Sequence, residues 1–548
     1  MAVSMRASAW CSALGAICAL GASVSLRATS AAGGVTTLQL PAGRVIGSVL
    51  PDGTLTFRNV RYARPPVGKL RFQPPQPLPA DASRVLNDLA PGRGCAQSMA
   101  KGWEHEYPPL AEDCLIVNVW TRGLERGRRP VMVWIHGGGF MGGSGSAANY
   151  DGARLAARGD VVVVTVNYRL GALGFLDQSE SGRAEFAESG NAAILDQIAA
   201  LRWVQGNIAA FGGDPARVTV FGESAGGRSV TTLLSLPQAR GLFSRAIVQS
   251  GSGNTVRSLE YARLVTRKLF GHAGVRDIEA LQAMPIEKFL LAQKALSDEI
   301  QEKSFLFGPV LDGVVLKESP LRSIARGAGS RVPVMHGVLR DEWRLWSLFD
   351  PAYSRLVPED AFSGTFLPLH KALGGKERAQ RIIEAYQGLY PQLDGNGLYF
   401  ALMTDVVYRI PHLRLADALN AAAVPNWMYV FEWPSPSPGL GTPHGLELPF
   451  VFGNTDTPGM ADFIGKRPPR RLVDFMQDTW LAFARDGAPT NLRGWERHDA
   501  VSRMVASLNL EPGLLRDAFA RERAAWAGVP FDGISPSVEW SPRLVARK

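Results

Sequence analysis

Val218-Thr-Val-Phe-Gly-Glu-Ser-Ala-Gly226 decides the fold. Its first four residues are β-branched or aromatic, which predicts a short strand over Val218–Phe221. Gly222 to Gly226 then spell G-x-S-x-G, and a helix is predicted after Ser224. A strand, a serine between glycines and a helix are the setting of a nucleophile elbow. The glycines permit a sharp turn that lifts the serine hydroxyl off the C-terminal edge of a sheet. The N-terminus of the following helix offers backbone N–H groups to a developing oxyanion. The competing reading of the same letters is a glycine-rich structural turn.

Working outward, Val131–His136 (VMVWIH) is an apolar run that ends in glycines, and Asp160–Asn167 (DVVVVTVN) has the length of a buried strand. Leu195 to Phe211 carries apolar residues at helical spacing, and Ala246–Gln249 opens another strand. Strands alternating with helices predict an α/β fold with a mostly parallel central sheet covered by helices on both faces. The sixty residues after position 31 differ. They are rich in Thr, Val, Gly and Pro with short alternations such as Thr54–Val60, which predicts antiparallel strands at an N-terminal edge. Residues 255–330 and 350–430 read as mostly helical. Neither an internal repeat nor a long low-complexity linker divides the chain, so residues 32–548 are expected to form a single domain.

Composition agrees with a large globular protein. The 548 residues are 46% hydrophobic and 20% charged, which excludes a disordered chain, a coiled coil and a multi-span membrane protein. The net charge of +9 is modest for the length. The densest basic groups, Arg126 to Arg129 and Lys466 to Arg471, read as solvated surface rather than as a nucleic-acid groove. Residues 1–31 carry Arg6 and Arg27, no acidic residue, and an apolar run from Ala7 to Leu26 followed by small residues. This is the pattern of a secretory signal peptide with cleavage near residues 30–32, so the protein is expected to be secreted or periplasmic. An uncleaved anchor is the competing reading; after cleavage no stable membrane span is expected. Of four cysteines, Cys11 and Cys18 fall in that segment. Cys95 and Cys114 remain, 19 positions apart, as natural disulfide partners in an oxidising compartment. Two buried free thiols are the alternative.

A second chemical signal is His136-Gly-Gly-Gly-Phe140, directly after the Val131 strand. Consecutive glycines let the backbone come close to a substrate oxygen. As an oxyanion loop it would donate the N–H groups of Gly138 and Gly139, joined by that of Ala225. A phosphate loop is disfavoured, because no Lys-Ser or Lys-Thr follows. His136 itself is expected to pack structurally. In this type of fold the acid and the histidine follow the serine in the chain. His444, in Pro443-His-Gly-Leu-Glu-Leu-Pro-Phe-Val-Phe452, and the carboxylates Asp341 and Glu342, in Gly337-Val-Leu-Arg-Asp-Glu342, stand in that order. Either carboxylate could orient an imidazole.

These segments resemble the type-B carboxylesterase family, which includes cholinesterases and bacterial p-nitrobenzyl esterases. Phe211 to Gly226 (FGGDPARVTVFGESAG) matches the family's serine signature throughout. Glu112–Trp120 (EDCLIVNVW) matches its second signature, with Ile116 in place of the usual aromatic or Thr. Asn167–Phe175 (NYRLGALGF) and Gln249–Gly251 (QSG) are also similar, and the resemblance runs from about Val45 to Trp495. It implies an α/β-hydrolase fold, a Cys95–Cys114 disulfide and a catalytic triad of Ser224, Glu342 and His444. Family register favours Glu342 over Asp341. Trp343 stands where the family usually has Gly, which bears on the local backbone and the pocket. Ser250 and Glu447 are either supports of the triad or ordinary polar residues.

The expected function is therefore serine carboxylic-ester hydrolysis through an acyl-enzyme, with no metal and no organic cofactor. The expected partner is a small-molecule ester. The Cys95–Cys114 loop holds Trp103 among charged residues. That ring is either a platform for a quaternary ammonium, as in cholinesterases, or surface packing. A short charged loop disfavours a large apolar lid, so short to medium acyl esters are expected. A lipase, another acyl hydrolase and a non-catalytic binding protein on the same fold are the alternatives.

Overall fold

Valine dictates the middle of the sheet. Val162–Val166 (VVVTV) is buried at all five positions, as a strand covered on both faces requires. The computed structural model describes residues 34–529, apart from 91, 99–107, 126–127, 254–255, 301–305, 349–352, 354 and 364–375. The expected signal peptide and Trp103 lie outside the described residues.

The described residues form one twelve-stranded sheet. Its strands are β1 (Val35–Leu40), β2 (Gly43–Val49), β3 (Leu55–Arg61), β4 (Ile116–Thr121), β5 (Arg129–Ile135) and β6 (Val162–Val166), followed by β7 (Gly213–Glu223), β8 (Arg245–Gln249), β9 (Val334–Leu339), β10 (Asn426–Phe431), β11 (Met504–Leu508) and β12 (Gly513–Arg516). The spatial order is β1-β2-β3-β4-β6-β5-β7-β8-β9-β10-β11-β12. From β6 to β11 all neighbours are parallel. The N-terminal strands up to the β4–β6 pair are antiparallel, as expected. The C-terminal edge is antiparallel too, because β12 folds back on β11. Gly513–Arg516 is short and half exposed, so it lacks the apolar run that marks the inner strands.

The strand before the serine is longer than its sequence predicts. It spans eleven residues and includes Pro215. A register irregularity between Arg129 and Val131 absorbs this irregular start, where β7 pairs with β5. Two helices matter most for the site. Helix α1 (Ala192–Asn207) lies over the sheet, and α2 (Ala225–Ser235) starts at the serine and is buried along its whole length. Arg169, from the NYRLGALGF stretch, pairs with Asp196 of α1 at 2.6 Å, both fully buried. Apolar clusters fill both faces of the sheet, one around Phe57, Val164 and Val220 and another around Trp134, Phe221 and Trp480. A third gathers Trp343, Tyr386, Tyr408 and Trp526 beside β9 and β10. Among the described residues no helix is long and apolar enough to cross a membrane.

Candidate active site

Strand β7 ends at Glu223, and Ser224 takes φ 56° and ψ −120° before α2 begins. Few non-glycine residues adopt a positive φ, and here close packing enforces it. A Cβ on Gly226 would come within 1.9 Å of the Ile135 carbonyl oxygen, so α2 sits directly on β5. Ser224 N–H donates to the Gln249 carbonyl at 2.9 Å, tying the elbow to the end of β8. The serine itself is half-buried, between buried neighbours.

The glycine loop after β5 closes against this elbow. Gly138 has φ 105° and Gly139 φ 63°, and a Cβ on Gly138 would meet the Gly142 carbonyl oxygen at 2.2 Å. The Gly138 carbonyl accepts from Met141 and Gly142 N–H groups, both at 3.0 Å. Gln97 holds the far end: its amide accepts from Gly143 N–H at 2.8 Å and donates to the Gly143 carbonyl at 2.9 Å. Gln97 follows closely on Cys95, which is disulfide-bonded to Cys114. The N–H groups of Gly138, Gly139 and Ala225 donate to no side chain and to no turn or loop carbonyl among the described residues. His136 is buried and stacked on Tyr168 with ring centroids 4.5 Å apart. Burial pushes its pKa down to about 4, against the opposing pull of the Gly137 carbonyl. It therefore packs as a neutral ring.

His444 is brought to the elbow from a turn ahead of the short helix Leu448–Phe452. Its Nδ1 lies 2.7 Å from Glu342 Oε2, and Glu342 Oε1 accepts from the Leu339 N–H at 2.8 Å. The carboxylate is thus fixed at the end of β9. Asp341 points elsewhere, accepting from the Thr442 N–H at 2.9 Å. Trp343 is fully buried in the third cluster, with its N–H on Thr404 Oγ1 at 3.2 Å and its indole N–H on Tyr399 at 3.3 Å. The residue in place of the usual glycine is therefore absorbed by packing behind Glu342.

The other face of the imidazole carries a contact that sequence reasoning missed. His444 Nε2 lies 3.0 Å from Glu223 Oε1, and both residues are buried. Ser224 Oγ makes no hydrogen bond among the described residues. Glu223 is visible in the sequence only as the variable letter of G-x-S-x-G, and nothing in that letter signals the contact. Tyr408 was missed as well; its ring centroid is 4.7 Å from that of His444. It sits on a π-helical turn, Asp405–Arg409, where Arg409 and Tyr386 both bond to the buried Asp405. Such turns have no sequence signature strong enough to read.

A third buried carboxyl group, Glu447, stands three residues after the histidine. Burial, then the charges of Glu223 and Glu342, push Glu447 up to about 8. Glu447 Oε1 accepts from the Gln249 side chain at 3.0 Å. Burial alone would lower the His444 pKa, but Glu223, Tyr408 and Glu342 together raise it well above its usual value. Ser250 is buried at φ 47°, and its hydroxyl has no hydrogen-bond partner among the described residues.

Comparison with known proteins agrees with this architecture. A profile described as the carboxylesterase family matches residues 34–526. The para-nitrobenzyl esterase of Bacillus subtilis (strain 168) is 38% identical over 490 residues, covering 88% of this chain and 96% of that protein. The phenmedipham hydrolase of Pseudarthrobacter oxydans is 36% identical, covering 81% and 89%. Among solved structures, a Geobacillus stearothermophilus carboxylesterase superposes with a TM-score of 0.79 at 39% identity, covering 89% of this chain and 99% of that one.

Proposed function

The chain belongs to the carboxylesterase family and is a serine carboxylic-ester hydrolase with the α/β-hydrolase fold, and we propose that Ser224, His444 and Glu342 carry its reaction. The observation that carries this reading is the Glu342–His444 hydrogen bond, set beside a strained elbow at Ser224. Ser224 Oγ attacks the ester carbonyl carbon and His444 Nε2 takes its proton. For that step Nε2 exchanges Glu223 Oε1 for Ser224 Oγ, on the next residue of the chain. Glu342 holds Nδ1–H and stabilises the imidazolium. The oxyanion is received by the N–H groups of Gly138, Gly139 and Ala225, a kind of stabilisation worth about 3 kcal/mol per donor. His444 then protonates the departing alcohol, and water releases the acid from the acyl-serine by the same steps.

The substrates in this reading are short to medium acyl esters, in keeping with the short charged segment between Cys95 and Cys114. Export through cleavage near residues 30–32 is part of the same reading. It rests on the charge and apolar pattern of residues 1–31 and on the Cys95–Cys114 disulfide, a bond that persists in oxidising compartments.

The test is hydrolysis of p-nitrophenyl esters from acetate to laurate by the mature protein and by Ser224→Ala. The expected result is activity that peaks below the long-chain esters and is abolished by the substitution. Retained activity in a folded Ser224→Ala protein would refute the assignment of the nucleophile. A laurate optimum would refute the acyl-length reading alone.

A further inference from the structure

At the N-terminal ends of the parallel strands, opposite the serine, lies a cleft of about 600 Å³ lined by Arg128, Arg129, Arg217 and Arg485 together with Glu125 and Asp160. Three separate segments supply the arginines, the approach to β5, the start of β7 and the end of α3 (Arg470–Asp486), and a fourth, just ahead of β6, supplies Asp160. Both carboxylates are committed to Arg129, Asp160 at 2.6 Å and Glu125 at 3.0 Å. Arg128, Arg217 and Arg485 have no carboxylate within 4.0 Å among the described residues.

The Arg217 guanidinium is held in place, and Arg128 and Arg485 flank it. Arg217 donates to the carbonyls of Arg128 at 3.2 Å and Arg485 at 3.4 Å, and Arg245 donates to the Arg485 carbonyl at 3.2 Å. These carbonyls include the exposed end of α3, whose dipole favours cations there. The positive charge is in excess even so. Burial and the neighbouring charge of Arg217 lower the pKa of Arg245, although Asp486 is near enough to oppose them. The guanidinium forks of Arg128, Arg217 and Arg485 match pairs of acceptor oxygens on a phosphate group.

We propose that this cleft binds a phosphate-class oxyanion, either free in solution or displayed as a lipid headgroup. Strand β7 separates it from Ser224 by six residues, roughly 20 Å at the usual rise per residue, so the bound anion cannot touch an ester at the serine.

The experiment uses the mature protein and the double variant Arg128→Ala/Arg485→Ala. Alanine keeps both backbone carbonyls, so the anchors of Arg217 and Arg245 survive and ester hydrolysis is expected to be unchanged. Binding of pyrophosphate is measured by calorimetry at fixed ionic strength. Co-sedimentation is measured with phosphatidylglycerol and phosphatidylcholine vesicles. Saturable pyrophosphate binding weakened at least tenfold in the variant supports the site. If phosphatidylglycerol vesicles also retain the wild type, and pyrophosphate releases it, the source is a headgroup; if they do not, it is a free anion. The proposal is overturned if neither pyrophosphate nor phosphatidylglycerol vesicles bind. It is equally overturned if the active variant binds as well as wild type, or if sodium chloride at matched ionic strength reproduces the signal.

Discussion

The imidazole of His444 is gripped by carboxylates on both sides, Glu342 Oε2 at 2.7 Å from Nδ1 and Glu223 Oε1 at 3.0 Å from Nε2. One contact orients the ring. The other occupies the nitrogen that a serine must reach, and it favours the protonated ring, which cannot act as a base.

Activity should therefore rise with pH through the elevated pKa of His444, above the ordinary range of histidine. Glu223→Gln removes the charge that raises it most and should move the ascending limb of kcat/KM to lower pH. Profiles of wild type and variant on one p-nitrophenyl ester decide this, and coincident limbs would show that Glu223 does not set the titration.

The two adjacent carboxylates should behave very differently. Glu342→Gln leaves Nδ1 without its anionic partner and should lower kcat on the order of 10³-fold or more. Asp341→Asn disturbs a turn at the Thr442 N–H and the partly exposed pairs with Arg340 and Arg344, and should keep kcat within roughly threefold. Steady-state kinetics on both variants would contradict the assignment of the acid if the order were reversed.

Acid should destabilise the fold through buried histidines other than His444. Burial depresses His336 to about 3 and His498 to about 4, and it lowers His412 as well. The unfolded chain takes up protons near pH 6.5 that the folded chain refuses, so stability is full above that pH and falls as pH drops below it. His336 and His498 each cost about 2 kcal/mol between pH 7.5 and 5. His498 has both ring nitrogens unpartnered among the described residues, so His498→Gln should reduce that loss by about 2 kcal/mol. Urea unfolding at the two pH values measures it; an undiminished pH dependence would rule the histidine out as a source.

What the sequence disclosed and what it hid divide along physical lines. The elbow, the glycine loop and the alternation of strands and helices are local: each depends on residues within a few positions of one another, so Val218–Gly226 could be read directly. The Glu342–His444 contact joins residues 102 positions apart. Composition and spacing left Asp341 and Glu342 equivalent, and only family register ranked them. The contacts of Glu223 and Tyr408 with His444 were illegible because they depend on how a π-turn and a loop pack in space. Edge strand β12 was missed because a half-exposed strand of four residues carries almost no periodicity. The arginine cleft was hidden for a related reason. Its four segments are scattered along the chain, and Arg126 to Arg129 alone looks like ordinary surface.

The Cys95–Cys114 bond reaches further than its own ring. Two residues after Cys95, Gln97 grips Gly143 through both its N–H and its carbonyl, and Gly143 terminates the loop that presents Gly138 and Gly139. A chain whose thiols stay reduced would keep the Gln97 bonds but lose the covalent tie on the backbone from which Gln97 reaches. The shape of the glycine loop beside Ser224 is thereby linked, through one side chain, to a covalent bond between two sulfurs remote from it in the chain.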